Sequence, residues 1–300
     1  MPANLLEGKV IAKNVKEGLA KEIEELKTRY GVAPTLATIQ LGENPAGAVY
    51  LRSQMKTAEK LGIDFKLHNL DAKTTQKELV DYIEKLNKDE SVNGILIQMP
   101  LPGQINAKEI SFYIDPSKDI EGMHPENLGK IIFGKARMSP CTAMAAFELI
   151  KSTGVKLYGK EAVVVGHSEI VGKPISLMLV DEFATVTTCH IGTGERGLLS
   201  EHVKRAEILV VAVGKAGLVK GDWIRDGAIV VDIGINKVGD KLVGDVEFEE
   251  AEKRASYITP VPGGVGPLTV AILMRNVVEA FKLQKIKLGH KLENDSRPIH

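Results

Sequence analysis

The chain has 300 residues, of which 44% are hydrophobic, with 39 acidic and 39 basic side chains. This length and apolar content suit two globular domains, and the balanced charge excludes a partner attracted by net charge, such as nucleic acid or a membrane surface. The N-terminus lacks an apolar signal core and the two cysteines, Cys141 and Cys189, form no metal or redox motif, so we expect a cytoplasmic protein with no metal site.

Predicted helices and strands alternate through the first half of the chain. In chain order the pattern predicts a helix over residues 10–30, a strand over 35–41, a helix over 46–61, a strand over 65–70, a helix over 75–86 and a strand over 94–99. Asn44 and Pro45 would open the second helix, and Thr74 or Thr75 would cap the third. Between residues 116 and 140 turn residues accumulate and the pattern weakens.

The second half continues the alternation. The pattern predicts helices over 143–153, 171–180, 200–205 and 269–284, strands over 162–165, 185–189, 208–213 and 228–232, and a loose polar tail over 285–300. Alternating strands and helices are typical of parallel sheets covered by helices. We therefore predict the α/β class with two domains, the second a doubly wound parallel sheet of the Rossmann type.

Residues 260–269, Pro-Val-Pro-Gly-Gly-Val-Gly-Pro-Leu-Thr, form the most distinctive segment. Three prolines fix their φ angles, while three glycines remove side chains and permit close backbone approach. The segment therefore predicts a stiff loop with a bare surface that lies against a flat ligand, with Pro267 near the start of the following helix. A rigid turn between domains is the alternative interpretation.

A glycine-rich turn follows the strand predicted over 162–165. In the sequence Gly-His-Ser-Glu-Ile-Val-Gly-Lys-Pro, Gly166 would turn the chain off the strand and Gly172 would let helix and strand pack closely. Ser168 replaces the middle glycine of the usual dinucleotide pattern and could donate one more hydrogen bond. The helix N-terminus would then face the pyrophosphate of a dinucleotide.

The ribose-binding end of this predicted site departs from the usual pattern. An NAD enzyme often carries Asp or Glu at the end of the next strand, but this strand ends Thr-Cys-His-Ile, and Glu195 lies further along. Arg196, His167 and His190 are candidates for this end, although such side chains are more often solvated or structural.

Together these motifs resemble the methylenetetrahydrofolate dehydrogenase/methenyltetrahydrofolate cyclohydrolase family, and the resemblance covers nearly the whole chain. It rests on residues 45–63, 98–102, 115–129, 140–142, 166–174 and 260–269. The resemblance implies a folate-binding domain over 1–142 plus 267–300, a dinucleotide-binding domain over 143–266, and a cleft between them. It also implies a homodimer, a folate substrate and a nicotinamide cofactor, NAD or NADP.

The resemblance further implies site residues. Tyr50 would stack on the folate, Gln98 would hydrogen-bond the substrate and the catalytic side chain, and Gly266 and Thr269 would line the pterin pocket. The positions that match the cofactor site are Thr142, Gly166, His167, Ser168, Gly172, Ile191 and Ile235.

The chain departs from the family pattern at these sites. Gln54 stands where the family has its catalytic lysine, and Glu121 stands where it has a pterin-binding aspartate. Gly47 replaces a serine near the start of the same helix. His167 and Ile191 replace an arginine and a serine that often hold the 2′-phosphate of NADP, so we expect NAD rather than NADP.

The replacement of lysine by Gln54 separates the two reactions of the family. Hydride loss makes the folate a cation, which a neutral carboxamide would not repel, and the enzyme mainly aligns two rings. Hydrolysis of the methenyl cation needs proton transfer, which a carboxamide cannot supply near neutral pH. We therefore predict a dehydrogenase with weak or lost cyclohydrolase activity, in which Glu121 keeps a negative charge for pterin N–H donors.

Three alternatives remain open at this point. The full bifunctional enzyme could use Lys56 or an ordered water network in place of the missing lysine. A catalytically degenerate folate- or nucleotide-binding protein could act through partners. Glu121, with its longer side chain, could indicate another reduced pterin as the substrate.

Overall fold

The computed structural model describes residues 2–43 and 47–295, with side chains up to residue 286. The chain divides into two compact units. The six-strand unit takes in the chain up to Asn14 together with Lys130–Lys135 and Pro140–Ile272. The three-strand unit takes in Val15–Gly129, Ala136–Ser139 and the chain from Leu273 onward.

Helices and strands are numbered in chain order. The first half contains β1 Asn4–Leu5, α1 Gly8–Tyr30, β2 Thr35–Leu41, α2 Ala48–Leu61, β3 Asp64–Leu70, α3 Gln76–Lys88, β4 Gly94–Ile97, α4 Ala107–Ile110, α5 Pro125–Ile132 and α6 Cys141–Ser152. The second half contains β5 Glu161–Val165, α7 Gly172–Asp181, β6 Thr185–Cys189, α8 Ile191–Glu195, α9 Leu199–Arg205, β7 Ile208–Val211, β8 Ile229–Asp232, β9 Asn236–Val238, β10 Lys241–Val243, α10 Phe248–Ala251, β11 Tyr257–Ile258 and α11 Val265–Asp295.

The three-strand unit is built on a parallel sheet in the order β3-β2-β4. Strand β2 is buried along nearly its whole length, as expected for the central strand of a parallel sheet covered by helices. On one face of the sheet, alternate residues of β2 join an apolar cluster with Leu79 and Ile83 of α3. Burial of each leucine or isoleucine side chain of this cluster stabilises the unit by about 1.5–3 kcal/mol.

Helix α3 begins with the predicted cap. The Thr75 hydroxyl accepts a hydrogen bond from Glu78 N, and the Glu78 carboxylate accepts one from Thr75 N. This reciprocal capping box satisfies two backbone donors that would otherwise have no partner in the helix. Thr75, rather than Thr74, is therefore the cap.

The six-strand unit is a parallel sheet in the order β1-β11-β8-β7-β5-β6. This order and the intervening helices confirm the predicted doubly wound α/β fold. All residues of β7 and β8 are buried, because helices cover both faces of such a sheet. The carboxyl ends of β5, β6, β7 and β8 meet at one edge, which is where open α/β sheets bind ligands.

Most predicted elements are confirmed, with shifts at their ends. The strands over 35–41 and 185–189 have the predicted bounds. The strand predicted over 208–213 ends at Val211, because Val213 and the two residues after it donate their N–H groups to a carboxylate instead of a neighbouring strand. The predicted start of α2 at Asn44 and Pro45 lies outside the described residues.

Four segments differ from prediction. Residues 125–132 form α5 in the region where the pattern was weak. The segment 260–269 is a loop only as far as Gly264, since α11 begins at Val265. Helix α11 then continues to Asp295, so the tail is helical through that residue and not loose. The sequence assigns the N-terminal residues to the first domain, whereas β1 pairs with β11 in the six-strand unit.

No helix in the described ranges is both long and apolar enough to cross a membrane. Helix α11 is the longest of the described helices, but its sequence includes charged and polar residues.

Candidate active site

Two buried carboxamide side chains are joined by a hydrogen bond within the three-strand unit. Gln54 projects from α2 and Gln98 follows β4, and both are buried. Gln98 Nε2 donates a hydrogen bond of 2.7 Å to Gln54 Oε1. Among the described residues no acceptor reaches Gln54 Nε2, although the Gln54 side chain is 0% exposed. Buried amide groups are normally satisfied, so this nitrogen is a candidate donor to a ligand.

Tyr50 lies one helical turn before Gln54 on α2, on the same side of the helix. Its side chain is 38% exposed, which leaves ring surface available for stacking. Lys56 is exposed, two residues beyond the buried Gln54, and therefore projects from a different side of α2. The structure brings Gln54 and Gln98 together and leaves Lys56 apart from them.

Glu121 follows the buried Asp119 on the loop before α5. Asp119 accepts hydrogen bonds from His124 N at 2.7 Å and from Asn127 Nδ2 at 3.0 Å, which fix the loop. Asn276 Nδ2 of α11 donates to Ile120 O between the two acids. These bonds therefore fix the backbone of the segment that carries Glu121.

Burial, and secondarily the charge of Asp119, raises the pKa of Glu121 to about 8. The sequence led us to expect a carboxylate at this position. The residue keeps partial exposure, but desolvation of its carboxyl and the nearby charge of Asp119 favour the neutral form at pH 7. The carboxyl can therefore donate as well as accept a hydrogen bond.

The glycine-rich turn leaves β5 at the carboxyl edge of the six-strand unit. Gly166 has φ of 123°, and a Cβ there would overlap Ala212 O. A Cβ at Gly172 would overlap Gly166 O, so helix α7 packs directly on the turn, as the sequence predicts. Ser168 Oγ accepts from Val171 N at 3.2 Å and so helps to shape the turn. A turn with glycines at residues 166 and 172, placed at the start of a helix, fits a dinucleotide pyrophosphate.

The two histidines predicted at the ribose end lie side by side. The rings of His167 and His190 have centroids 5.3 Å apart, and both residues are exposed. They flank the ends of β5 and β6, which are joined there by a hydrogen bond from Gly166 N to Cys189 O. Ile191 is 77% exposed at the same end, and Arg196 follows α8.

The remaining predicted residues occupy separate places. Thr142 is half-buried at the start of α6, and Ile235 is exposed just beyond β8. Gly266 and Thr269 lie in the first turns of α11, where the Thr269 hydroxyl donates to Val265 O. Among residues whose side chains are described, no three His, Cys, Asp or Glu side chains gather where they could hold a metal ion.

Sequence reasoning missed two buried carboxylates at the carboxyl edge of the six-strand unit, Asp232 and Asp245. Asp232 ends β8, and Asp245 follows β10. The available signal was a pair of glycines, Gly234 and Gly244, each of which would place a Cβ against one of these carboxylates.

Comparison with known proteins decides which family this arrangement belongs to. The family model for the catalytic domain of tetrahydrofolate dehydrogenase/cyclohydrolase matches residues 6–121, and the model for the NAD(P)-binding domain of the same family matches residues 140–285. The chain belongs to the tetrahydrofolate dehydrogenase/cyclohydrolase family. It is 50% identical over 283 residues to the bifunctional protein FolD of Bacillus pumilus (strain SAFR-032), covering 94% of this chain and 99% of that protein.

Solved structures of this family share the fold. The bifunctional FolD enzyme of Campylobacter jejuni is 43% identical, with a TM-score of 0.90, covering 94% of this chain and 99% of that one. The Trypanosoma brucei enzyme, complexed with NADP and an inhibitor, is 38% identical, with a TM-score of 0.89 and coverage of 94% and 98%. As a member of the tetrahydrofolate dehydrogenase/cyclohydrolase family, the protein is an oxidoreductase of one-carbon metabolism that takes a folate substrate and a nicotinamide cofactor.

Proposed function

We propose that this protein oxidises 5,10-methylenetetrahydrofolate to 5,10-methenyltetrahydrofolate and has weak or no cyclohydrolase activity. The observation that carries the proposal is the buried carboxamide pair, Gln54 and Gln98. Neither side chain gains or loses a proton near neutral pH. These two side chains can therefore orient the folate but cannot transfer a proton to or from it.

The redox step needs little beyond alignment. The nicotinamide, when bound, accepts a hydride from the methylene carbon of the folate. Tyr50 offers its exposed ring to the folate, and stacking of this kind contributes about 0.5–1.5 kcal/mol beyond area burial. Gln54 carries no charge, so it does not oppose the positive charge that develops on the folate.

The hydrolytic step needs a proton-transfer group that residue 54 does not supply. Attack of water on the methenyl cation needs a group that accepts and returns a proton, and loss of such a group typically lowers the rate by about 10²–10⁴-fold. Lys56 is exposed and lies away from the buried pair, which argues against its replacing the missing lysine. Full bifunctional activity therefore has no support from Lys56.

Glu121 supports a second candidate, the bifunctional enzyme. Its pKa of about 8 lies close to working pH, where a carboxyl is an effective general acid or base. If Glu121 reached the reacting carbon, it could move the protons of hydrolysis. We favour its role in pterin binding, because Glu121 stands at the position for which the family resemblance implies that role.

We further propose NAD as the preferred cofactor. His167 and the exposed Ile191 stand at the positions where an arginine and a serine would hold a 2′-phosphate. The isoleucine side chain has no hydrogen-bond donor, and charge-assisted bonds are the strong contacts to phosphate.

We also propose that the folate binds to the domain over residues 1–142 and 267–300 and that the cofactor binds to the domain over 143–266. We propose further that the enzyme is a cytoplasmic homodimer.

A paired assay tests the proposal. In the first assay, the absorbance of methenyltetrahydrofolate would measure its formation from the methylene substrate with NAD or NADP. In the second, added methenyltetrahydrofolate without cofactor would lose absorbance as it is hydrolysed. We expect oxidation with little hydrolysis in the wild type, and at least tenfold faster hydrolysis in Gln54→Lys. Lys56→Gln is the matched control and should change neither rate. Wild-type hydrolysis as fast as oxidation would contradict the proposal, and loss of hydrolysis in Glu121→Gln would then identify the second candidate.

A further inference from the structure

Two buried carboxylates join three loops at the carboxyl edge of the six-strand unit. Asp245 is 0% exposed and accepts hydrogen bonds from three consecutive backbone N–H groups after β7. Its Oδ2 lies 2.7 Å from Val213 N and 2.9 Å from Gly214 N, and its Oδ1 lies 2.8 Å from Lys215 N. Asn236 Nδ2 donates to Oδ1 as well, at 2.8 Å.

Asp232 continues this network. Its carboxylate accepts from Gly234 N at 3.0 Å, Asp245 N at 3.0 Å and Val246 N at 2.8 Å. Its own N–H donates to the Thr259 hydroxyl at 2.7 Å, and that hydroxyl donates back to Asp232 O. The loops after β7, β8 and β10 are thus fixed to one another and to the end of β11.

The backbone is shaped to admit the two acids. A Cβ at Gly234 would overlap the Asp245 carboxylate, and a Cβ at Gly244 would overlap the Asp232 carboxylate. Any other residue at either position would push the acid away from the N–H groups that it binds. The glycines and the carboxylates therefore form a single arrangement.

Stability alone does not account for this arrangement. Burial of a carboxylate is costly even when it is hydrogen-bonded, and apolar replacements of buried charges are often as stable. Burial raises the pKa of Asp232 to about 6, against the opposing effect of its backbone donors. Burial of the two carboxylates is thus unfavourable for folding free energy. What their hydrogen bonds provide is a fixed path for the loops.

Those loops lie where a cofactor would meet the protein. Ligands of doubly wound sheets bind beyond the carboxyl ends of the strands. At this edge Val213 is 38% exposed and Ile235 is 62% exposed, each within two residues of a backbone N–H group bound by one of the acids. Two apolar side chains on rigidly held loops suit a flat ring better than a flexible surface would.

We propose that Asp245 and Asp232 are positioning residues for the nicotinamide half of the cofactor. They act through the backbone of residues 213–215 and Gly234 and through the side chain of Asn236, and they do not touch the reacting atoms. The inference rests on cofactor binding by the six-strand unit and is independent of the fate of the hydrolytic activity.

The test measures cofactor binding directly. NADH fluorescence would give Kd in the absence of folate, and hydrogen exchange would report the N–H groups of residues 213–215. Asp245→Asn replaces one accepting oxygen by a donor, so two of the four bonds are lost. We expect at least tenfold weaker NADH binding and faster exchange at these amides, with folate binding changed less than twofold.

A milder variant guards against loss of folding. Asn236→Ala removes one donor to Asp245 and leaves the carboxylate in place, and we expect NADH binding to weaken about two- to fivefold. Glu207→Gln is the matched control, because Glu207 also accepts a backbone N–H but lies just before β7, at the opposite edge of the sheet. It should leave NADH binding unchanged.

Two outcomes would overturn the inference. One is unchanged NADH binding in folded Asn236→Ala and Asp245→Asn. The other is an equal loss of NADH and folate binding, which would show a general structural role. Neither outcome bears on the proposal for Gln54, since hydrolysis is measured without the cofactor.

Discussion

Gln98 Nε2 lies 2.7 Å from Gln54 Oε1, and this hydrogen bond occupies the oxygen end of the Gln54 carboxamide. The carboxamide oxygen is engaged, so the amide nitrogen is the group that remains to donate. A lysine at residue 54 would instead place a titrating ammonium against the Gln98 side chain. The relationship between these two residues therefore underlies the proposed loss of hydrolysis.

The first prediction concerns the stability of this pair. Gln98→Leu leaves Gln54 Oε1 buried without its donor, so we expect the free energy of unfolding to fall by about 1–3 kcal/mol. The double variant Gln54→Leu with Gln98→Leu removes both polar partners and should recover much of this loss. Urea denaturation measures both variants, and a double variant less stable than Gln98→Leu would contradict the pairing.

The second prediction concerns pH. The folded pKa of Glu121 is about 8, above its ordinary value of 4.5, so the folded state holds a proton that the unfolded state releases between these values. The stability that Glu121 contributes is therefore lost as pH rises from 4.5 to 8. Glu121→Gln should be more stable than the wild type by about 1–3 kcal/mol at pH 9, with the difference shrinking toward pH 5.

Thermal unfolding from pH 5 to pH 9 checks this prediction. Glu90→Gln, at an exposed position in the same unit, is the control and should give a much smaller change across the range. If the wild-type and Glu121→Gln curves ran parallel, the carboxyl would not be the group that titrates.

The third prediction concerns the glycine-rich turn. Gly172→Ala would drive a methyl group into Gly166 O, so we expect a loss of about 1–3 kcal/mol in stability and at least tenfold weaker NADH binding. Gly18→Ala is the control: a Cβ there meets nothing within 4 Å in the interior of α1, and the change should stabilise the protein slightly. Normal NADH binding by Gly172→Ala would refute the role of this turn.

The fourth prediction concerns cofactor choice. His167→Arg combined with Ile191→Ser supplies a charged donor and a hydroxyl at the ribose end, and we expect kcat/KM for NADP to rise about 10–100-fold relative to NAD. The single variants should each give part of the change. A wild type that already prefers NADP, and that loses this preference in Arg196→Ala, would show that Arg196 holds the phosphate.

The sequence was sufficient for much of the fold. The apolar runs of β2 and β7 predicted strands, and Thr74 or Thr75 was predicted as the cap of α3, because these signals are local. The pattern failed for α5 and for the residues after Lys285. Helix α5 has only eight residues and lies among turn-forming residues, and the residues after the predicted end of α11 are mainly polar, so neither helical segment could be read from the residue order.

Some features of the candidate site were likewise evident from the sequence, and others only from the tertiary structure. Residue order alone identified the glycine-rich turn, Gln54 and the family, because these depend on residue type and spacing. The resemblance already implied that Gln98 lies beside residue 54. The tertiary structure alone left Gln54 Nε2 without an acceptor among the described residues, raised the pKa of Glu121 and joined Asp232 to Asp245. Hydrogen bonds and desolvation depend on which atoms lie within a few ångströms, and those neighbours come from segments far apart in the chain.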